Sequence, residues 1–270
     1  MFPMPTKKNL LYNRIKKEIR EEVWSFKDIG NSSLILPKEI EKFIEWLNLG
    51  SEKKILDVCC GDGSVLAYIV TKSNCKGYGI DVNTQRIDSA NILAEHNQID
   101  IKFLNFNLTN SLPFQDSFFD SLICLESIFY FDATSRLKLF KEWKRVLKPN
   151  GKLIFTDSCI IAGLIAKREI ENRSIYSKFI GEYFFLPLFI QESIIKKAGL
   201  NLVLAEDITA NNASIIAKKL RVARTKRIQD LKIIEEKEEF EYEQMFVNVC
   251  DRLYNRQKSL VQYAYYITKM

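Results

Sequence analysis

The chain has 270 residues, enough for one large α/β domain or a compact domain carrying insertions. Apolar residues make up 47% and charged residues 27%, a globular balance that excludes general disorder, and the net charge of +6 permits an acidic partner without demanding one. A lone histidine, His96, removes a Ser-His-Asp hydrolase, and the six cysteines (Cys59, Cys60, Cys75, Cys124, Cys159, Cys250) lack the spacing of a zinc site or a disulfide scaffold.

In chain order, residues 9–24 and 37–48 read as helices, the second with Ile40, Phe43, Ile44 and Leu47 at helical spacing. An alternation follows. Lys54–Val58 is a strand and Ser64–Thr71 a helix; Gly77–Ile80 is a strand and Thr84–Asn97 a helix. Ile101–Leu104 and Phe119–Leu125 are strands. Residues 134–147 form a helix with Leu137, Leu139, Phe140, Trp143 and Leu147 available for its apolar face. Pro149-Asn150-Gly151 ends that helix and turns into a strand at Lys152–Thr156. Residues 158–188, apolar and aromatic without strand punctuation, suggest a helical cover. A helix at 189–198 closes at Gly199, Leu202–Glu206 returns as a strand, 213–259 is amphipathic and charged, and Val261–Thr268 makes a last strand.

Strands alternating with helices predict parallel βαβ units in a doubly wound, Rossmann-like α/β sheet, with ligands beyond the carboxyl ends of the strands. The expected division is N-terminal helices over residues 1–50 and a core over 51–270, with helical lid insertions at 158–188 and 213–259. No apolar run spans a bilayer, and the first residues lack the order of a signal peptide, so a cytoplasmic protein is expected. Basic residues cluster near both ends, where a solvated helix face is the plainer reading than a nucleic-acid surface.

The segment from Asp57 to Ser64 (DVCCGDGS) joins a strand to a helix. Gly61 and Gly63 permit a tight turn that bares the first amides of the helix to a polar or anionic group. The spacing is not GxGxxG, so a dinucleotide fits poorly. The next strand ends in Asp81, whose carboxylate can accept bonds from two ribose hydroxyls or can cap the helix that follows.

Four stretches in order, ILDVCCGDGS, GYGIDVN, LPFQDSFFDSLICLES and FKEWKRVLKPNGKLIFTD, resemble the class I S-adenosylmethionine-dependent methyltransferases, and the resemblance runs over about residues 24–269. It implies a seven-stranded sheet, mostly parallel, with an antiparallel last strand. It implies that Asp57, Cys59, Gly61 and Gly63 hold the amino-acid end of S-adenosylmethionine, and the product S-adenosylhomocysteine after transfer, that Asp81 holds the ribose, and that Val82 and Leu125 line the site. Asn107, where the family often has Asp, would accept from the adenine amino group, with Leu108 beside it. The family often has Gly at Cys59 or Cys60, so the turn here is bulkier. No metal is expected.

On the substrate side, VWSFKDIG, FTD and AEDIT resemble segments of sarcosine and dimethylglycine N-methyltransferases, and LESIFYF resembles a signature of sterol, tocopherol and sugar methyltransferases. Phe129 and Tyr130 stand where that signature has histidines. Tyr130 then orients the acceptor or relays a proton, and Glu126 binds an ammonium, acts as base, or merely caps its turn. Trp24, Phe129, Tyr176, Tyr183 and Phe184 are the candidate substrate wall; aromatic faces attract onium groups, although plain packing uses the same residues. The expected partner is a small molecule, an amine being slightly favoured over oxygen or carbon acceptors. Nucleic acid is disfavoured for want of a recognition domain, and a homodimer is compatible with the sequence. A retired fold that only binds ligands is the reading from another class.

Overall fold

The computed structural model describes residues 35–160, 183–211, 213, 251 and 260–269. Its elements are α1 (Pro37–Leu47), β1 (Lys54–Val58), α2 (Ser64–Ser73), β2 (Lys76–Asp81), α3 (Thr84–His96), β3 (Ile101–Asn105), β4 (Phe119–Cys124), a 3₁₀ turn at Ile128–Tyr130, α4 (Ala133–Val146), β5 (Leu147–Ile160), α5 (Leu188–Lys197), β6 (Asn201–Asp207) and β7 (Leu260–Thr268). The sheet has seven strands in the order β3-β2-β1-β4-β5-β7-β6. β1 pairs in parallel with β2 and β4, β2 with β3, and β4 with β5, while β7 runs antiparallel to β6. This is the doubly wound sheet that the resemblance implies, and its order reverses between β1 and β4.

The local chemistry explains the elements. Parallel strands are covered on both faces, so β1 and β4 are almost wholly buried runs of Ile, Leu, Val and Cys. The Asn83 side chain caps α3 by accepting from the Arg86 amide at 3.0 Å, and Asp132 caps α4 by accepting from Ser135 at 2.7 Å. Gly199, at φ 74°, closes α5 in the left-handed conformation that glycine adopts without strain. On one face of the sheet Phe140, Trp143, Phe155 and Tyr265 form a continuous buried aromatic cluster, the last two stacked at 4.4 Å between ring centroids.

Three expectations need correction. Pro149-Asn150-Gly151 does not separate helix from strand: β5 already begins at Leu147, and the triplet forms an irregularity inside it. The register jumps there from Phe119↔Leu147 to Ser121↔Lys152, with Asn150 at φ 61°. Two bonds to Lys269 hold the bulged backbone, so its polar groups stay paired (Asn150 N–H to its carbonyl, its N–H to Gly151 O). Residues 158–160 continue β5 instead of starting a cover. On α4 the buried face includes Arg136, which is fully enclosed, while Leu137 is only half-buried.

The chain divides into two compact units. One, residues 37–159, 184–207 and 262–270, carries nearly all of the sheet; the other is 1–36, 160–183 and 208–261. The expected helix at 9–24, the bulk of the expected cover at 158–188 and nearly all of 213–259 lie outside the described residues. Among the described residues no helix is long and apolar enough to cross a membrane.

Candidate cofactor and acceptor site

Register places the strand tips at one edge. Val58 pairs with Ile80, Asp81 with Asn105, and Cys124 with Phe155, so the residues just beyond them share the carboxyl edge of the sheet. β1 leaves this edge through Cys59 at φ 63°, Gly61 at φ 57° and Gly63 at φ 73°. A Cβ on Gly63 would lie 2.5 Å from the Phe103 ring, so only glycine fits between the turn and β3. Cys59 holds a left-handed conformation with a full side chain, which costs about 1–2 kcal/mol for most residues.

Asp81 pins the turn. Its two carboxylate oxygens accept from the Gly61 and Asn83 amides, each at 2.9 Å. A carboxylate oxygen has two acceptor positions, so one on each oxygen is left for a hydroxyl. Val82, next in sequence, is 62% exposed despite being apolar. Asp62 closes the other side, accepting from the Ser64 amide and hydroxyl at 3.2 and 2.7 Å. Asp57 is buried at the base of the turn, and its pKa is raised well above the usual carboxylate range by burial, then by the charges of Asp81 and Asp62. No ion pair reaches Asp57, Asp62 or Asp81 among the described residues. Three carboxylates at a tight turn therefore favour a cationic ligand. Small backbone, acidic surround and an exposed apolar residue fit the amino-acid, ribose and base parts of S-adenosylmethionine.

Asn107 lies exposed beyond β3, and its side-chain oxygen already accepts from the Thr109 amide at 3.0 Å, leaving one acceptor position. Leu108 is half-buried against the core, and Leu125 half-buried beyond β4.

Next to β1, β4 ends in a second strained residue. Glu126 sits at φ 54°, and its amide donates to Thr156 Oγ1 on β5 at 2.8 Å. Its carboxylate lies 3.5 Å from Gln262 Nε2 on β7. The 3₁₀ turn that follows presents Phe129 and Tyr130, ring centroids 4.6 Å apart, with Phe185 5.7 Å from Phe129; Tyr130 is 39% exposed. Phe184, half-buried, donates its amide to Phe129 O at 2.7 Å. Glu126, Phe129, Tyr130 and Phe184 are thus brought together. Tyr183 is buried and belongs to the other unit, and Trp24 and Tyr176 lie outside the described residues.

Arg136 is a residue that sequence reasoning missed. From the buried face of α4 it donates to Phe131 O at 2.8 Å, to Asp157 Oδ2 and Gln191 Oε1 at 2.5 Å each, and to Phe184 O. The one signal was phase: position 136 falls on the helical stripe of Leu139, Phe140 and Trp143.

Residues 55–151 match the family model described as a methyltransferase domain. Phosphoethanolamine N-methyltransferase 1 of Zea mays is 30% identical over 184 residues, 67% of this chain and 34% of that relative, so this chain spans about a third of the relative's length. Among solved structures, the cyclopropane synthase MmaA2 of Mycobacterium tuberculosis superposes with a TM-score of 0.79 at 13% identity, covering 97% of this chain and 95% of that one. A putative sarcosine dimethylglycine methyltransferase from Galdieria sulphuraria gives 0.71 at 18% identity, covering 94% and 98%. At these identities the structural likenesses establish the fold alone.

Proposed function

We propose that this chain, a class I S-adenosylmethionine-dependent methyltransferase by family, methylates an amine nitrogen of a small-molecule acceptor. The observation that carries the reading is the unneutralised carboxylate turn of Asp57, Asp62 and Asp81 lying one strand away from Glu126. When bound, the cofactor supplies an electrophilic methyl group on a sulfonium, which leaves as a neutral thioether. Asp57 and the Gly61–Gly63 turn hold the amino-acid end, and Asp57 offsets its ammonium. Asp81 would receive the ribose hydroxyls on its remaining acceptor positions, and Val82 would pack against the adenine. Asn107 accepts from the adenine amino group, with Leu108 and Leu125 as apolar walls and Cys59 lining the turn.

On the acceptor side, Glu126 orients an amine and takes up the proton released as nitrogen gains the methyl group. Tyr130 aims the acceptor through its hydroxyl. Phe129 and Phe184 attract the positive charge that grows on nitrogen, a gain of about 0.5–2 kcal/mol per ring face. That a relative named for phosphoethanolamine N-methylation matches this chain at 30% identity supports an amine. The same aromatic wall supports a second reading, methylation of oxygen or carbon on an apolar acceptor.

The test is calorimetry with S-adenosylhomocysteine, then transfer of labelled methyl groups across amines, phenols, sugars and quinones. Product from amines alone is the expected result. Product only from phenols or quinones transfers the case to the second reading. Absence of binding heat removes the methyltransferase reading and leaves a retired fold that binds some other ligand.

A further inference from the structure

The acceptor wall is not held by packing alone. Phe184 and Phe185 lie against the 3₁₀ turn, and the Phe184 backbone is fastened on both sides: its amide to Phe129 O, and its carbonyl to Arg136. Arg136 also grips Phe131 O, the residue that follows the 3₁₀ turn. One guanidinium therefore joins the two segments that carry Phe129, Tyr130, Phe184 and Phe185. Its own position is set from behind by Asp157 on β5 and Gln191 on α5, and neither member of the Arg136–Asp157 pair is exposed at all.

Stability does not explain this arrangement. An ion pair removed from water often contributes no more than apolar residues of similar volume. Gln191 Nε2 stays buried without a hydrogen bond, a further cost to the same cluster. What the cluster gives in return is geometry, because a guanidinium has five donors in a rigid fork and can fix several carbonyls at once.

We propose that Arg136 and Asp157 are positioning residues that hold the aromatic wall in the shape needed to receive a cationic or cation-forming acceptor. This rests on the amine reading above. Neither residue touches the acceptor; both act through Phe129, Tyr130, Phe184 and Phe185.

Asp157 also gives the pair a pH signature. Burial raises its carboxyl, Arg136 only partly offsets this, and its pKa sits at about 6. The groups facing it are Arg136 from α4, Cys124 from β4, Cys159 on its own strand and Tyr265 from β7. The Cys124 thiol is raised by its contact with Cys59 and by burial, that of Cys159 by burial to about 12, and the Tyr265 phenol is raised by burial. Among these groups, only Asp157 changes charge near pH 6.

The experiment uses phenyltrimethylammonium, an onium that cannot be methylated, titrated into the full chain saturated with S-adenosylhomocysteine. The wild type is expected to bind it, with affinity falling at least threefold between pH 7.5 and 5.5. Arg136→Lys and Asp157→Asn should each weaken the probe at least tenfold at pH 7.5, leave S-adenosylhomocysteine affinity within twofold, and lose the pH step. Retained cofactor affinity shows that each variant is folded; should Arg136→Lys fail to fold, Asp157→Asn and the wild-type pH profile decide alone. Probe affinity in the variants equal to wild type overturns the positioning role while leaving the amine reading intact. A wild type that binds S-adenosylhomocysteine but not the probe overturns both.

Discussion

The two edges of the same sheet handle charge and strain in opposite ways. At the amino edge, Asp120 at the start of β4 accepts from the Lys54 amide and from Lys148, with Lys53 at 3.4 Å. Burial pushes its pKa up, but these partners outweigh burial and hold it below the usual carboxylate range. At the carboxyl edge Asp57 is raised, with two more carboxylates beside it and no paired cation among the described residues. Left-handed residues divide likewise. Asn48, Asn74, Gln98, Ser117 and Asn150, at or near the amino edge, are mostly short polar residues that tolerate this conformation, whereas Cys59 and Glu126 at the carboxyl edge are not. Around β1 the chain neutralises itself at the edge where it only has to fold, and stays unneutralised and strained at the edge where a ligand is to complete it. Farther along that second edge, Asp157 is paired by Arg136.

Removing one aspartate from each edge tests that division most severely. Asp81→Ala should abolish the thermal stabilisation given by S-adenosylhomocysteine, worth about 2.7 kcal/mol at a hundredfold excess over Kd. Asp120→Ala should leave that stabilisation intact while lowering baseline stability by about 1–3 kcal/mol, because the Lys54 amide loses its partner. Thermal melts with and without the ligand distinguish the two. A ligand shift that survives Asp81→Ala removes the ribose assignment.

The pH dependence should differ in sign. Asp120, lowered on folding, contributes stability above its ordinary pKa of 3.8 that is lost as pH falls through its folded value. Asp57, raised on folding, binds its proton more tightly in the folded chain. Ligand-free stability therefore falls as pH rises from 3.8 through the folded value, and a cationic ligand restores it. Asp57→Asn should accordingly raise the ligand-free Tm while weakening the cofactor. A variant less stable than the wild type across pH 5–8 contradicts the idea that Asp57 is kept charged for a ligand.

Much of this was legible before any coordinates. Each strand of the alternation up to β4 was placed within one residue at either end, because runs such as KILDV and a capping Asn83 act locally. The glycine turn and Asp81 were legible for the same reason. The bulge at Pro149–Gly151 was not, since its backbone partner, Lys269, is more than a hundred residues away. Arg136 was hidden too: its four acceptors come from segments spread over residues 131–191, and a helical arginine reads as solvated until folding assembles them. The engagement of both Asp81 oxygens by backbone amides also needed the turn's actual path.

The smallest effect concerns strain itself. Cys59→Gly removes a Cβ from a left-handed position and relieves about 1–2 kcal/mol, of which the greater freedom of glycine in the unfolded chain takes back about 0.5–1 kcal/mol. Less what the contact of Cys59 with Cys124 contributes, a net gain of at most ~0.5–1 kcal/mol should appear as a higher denaturation midpoint with an unchanged slope. Asn74→Gly, at the C-terminus of α2 with φ 55°, should gain less, because Asn already accommodates the left-handed region, and the backbone N–H of residue 74, which donates to Val70 O at 2.7 Å, is kept in the variant. If both substitutions gave the same change, the carboxyl edge would hold no more strain than an ordinary helix end. The contrast between the edges would then rest on charge alone.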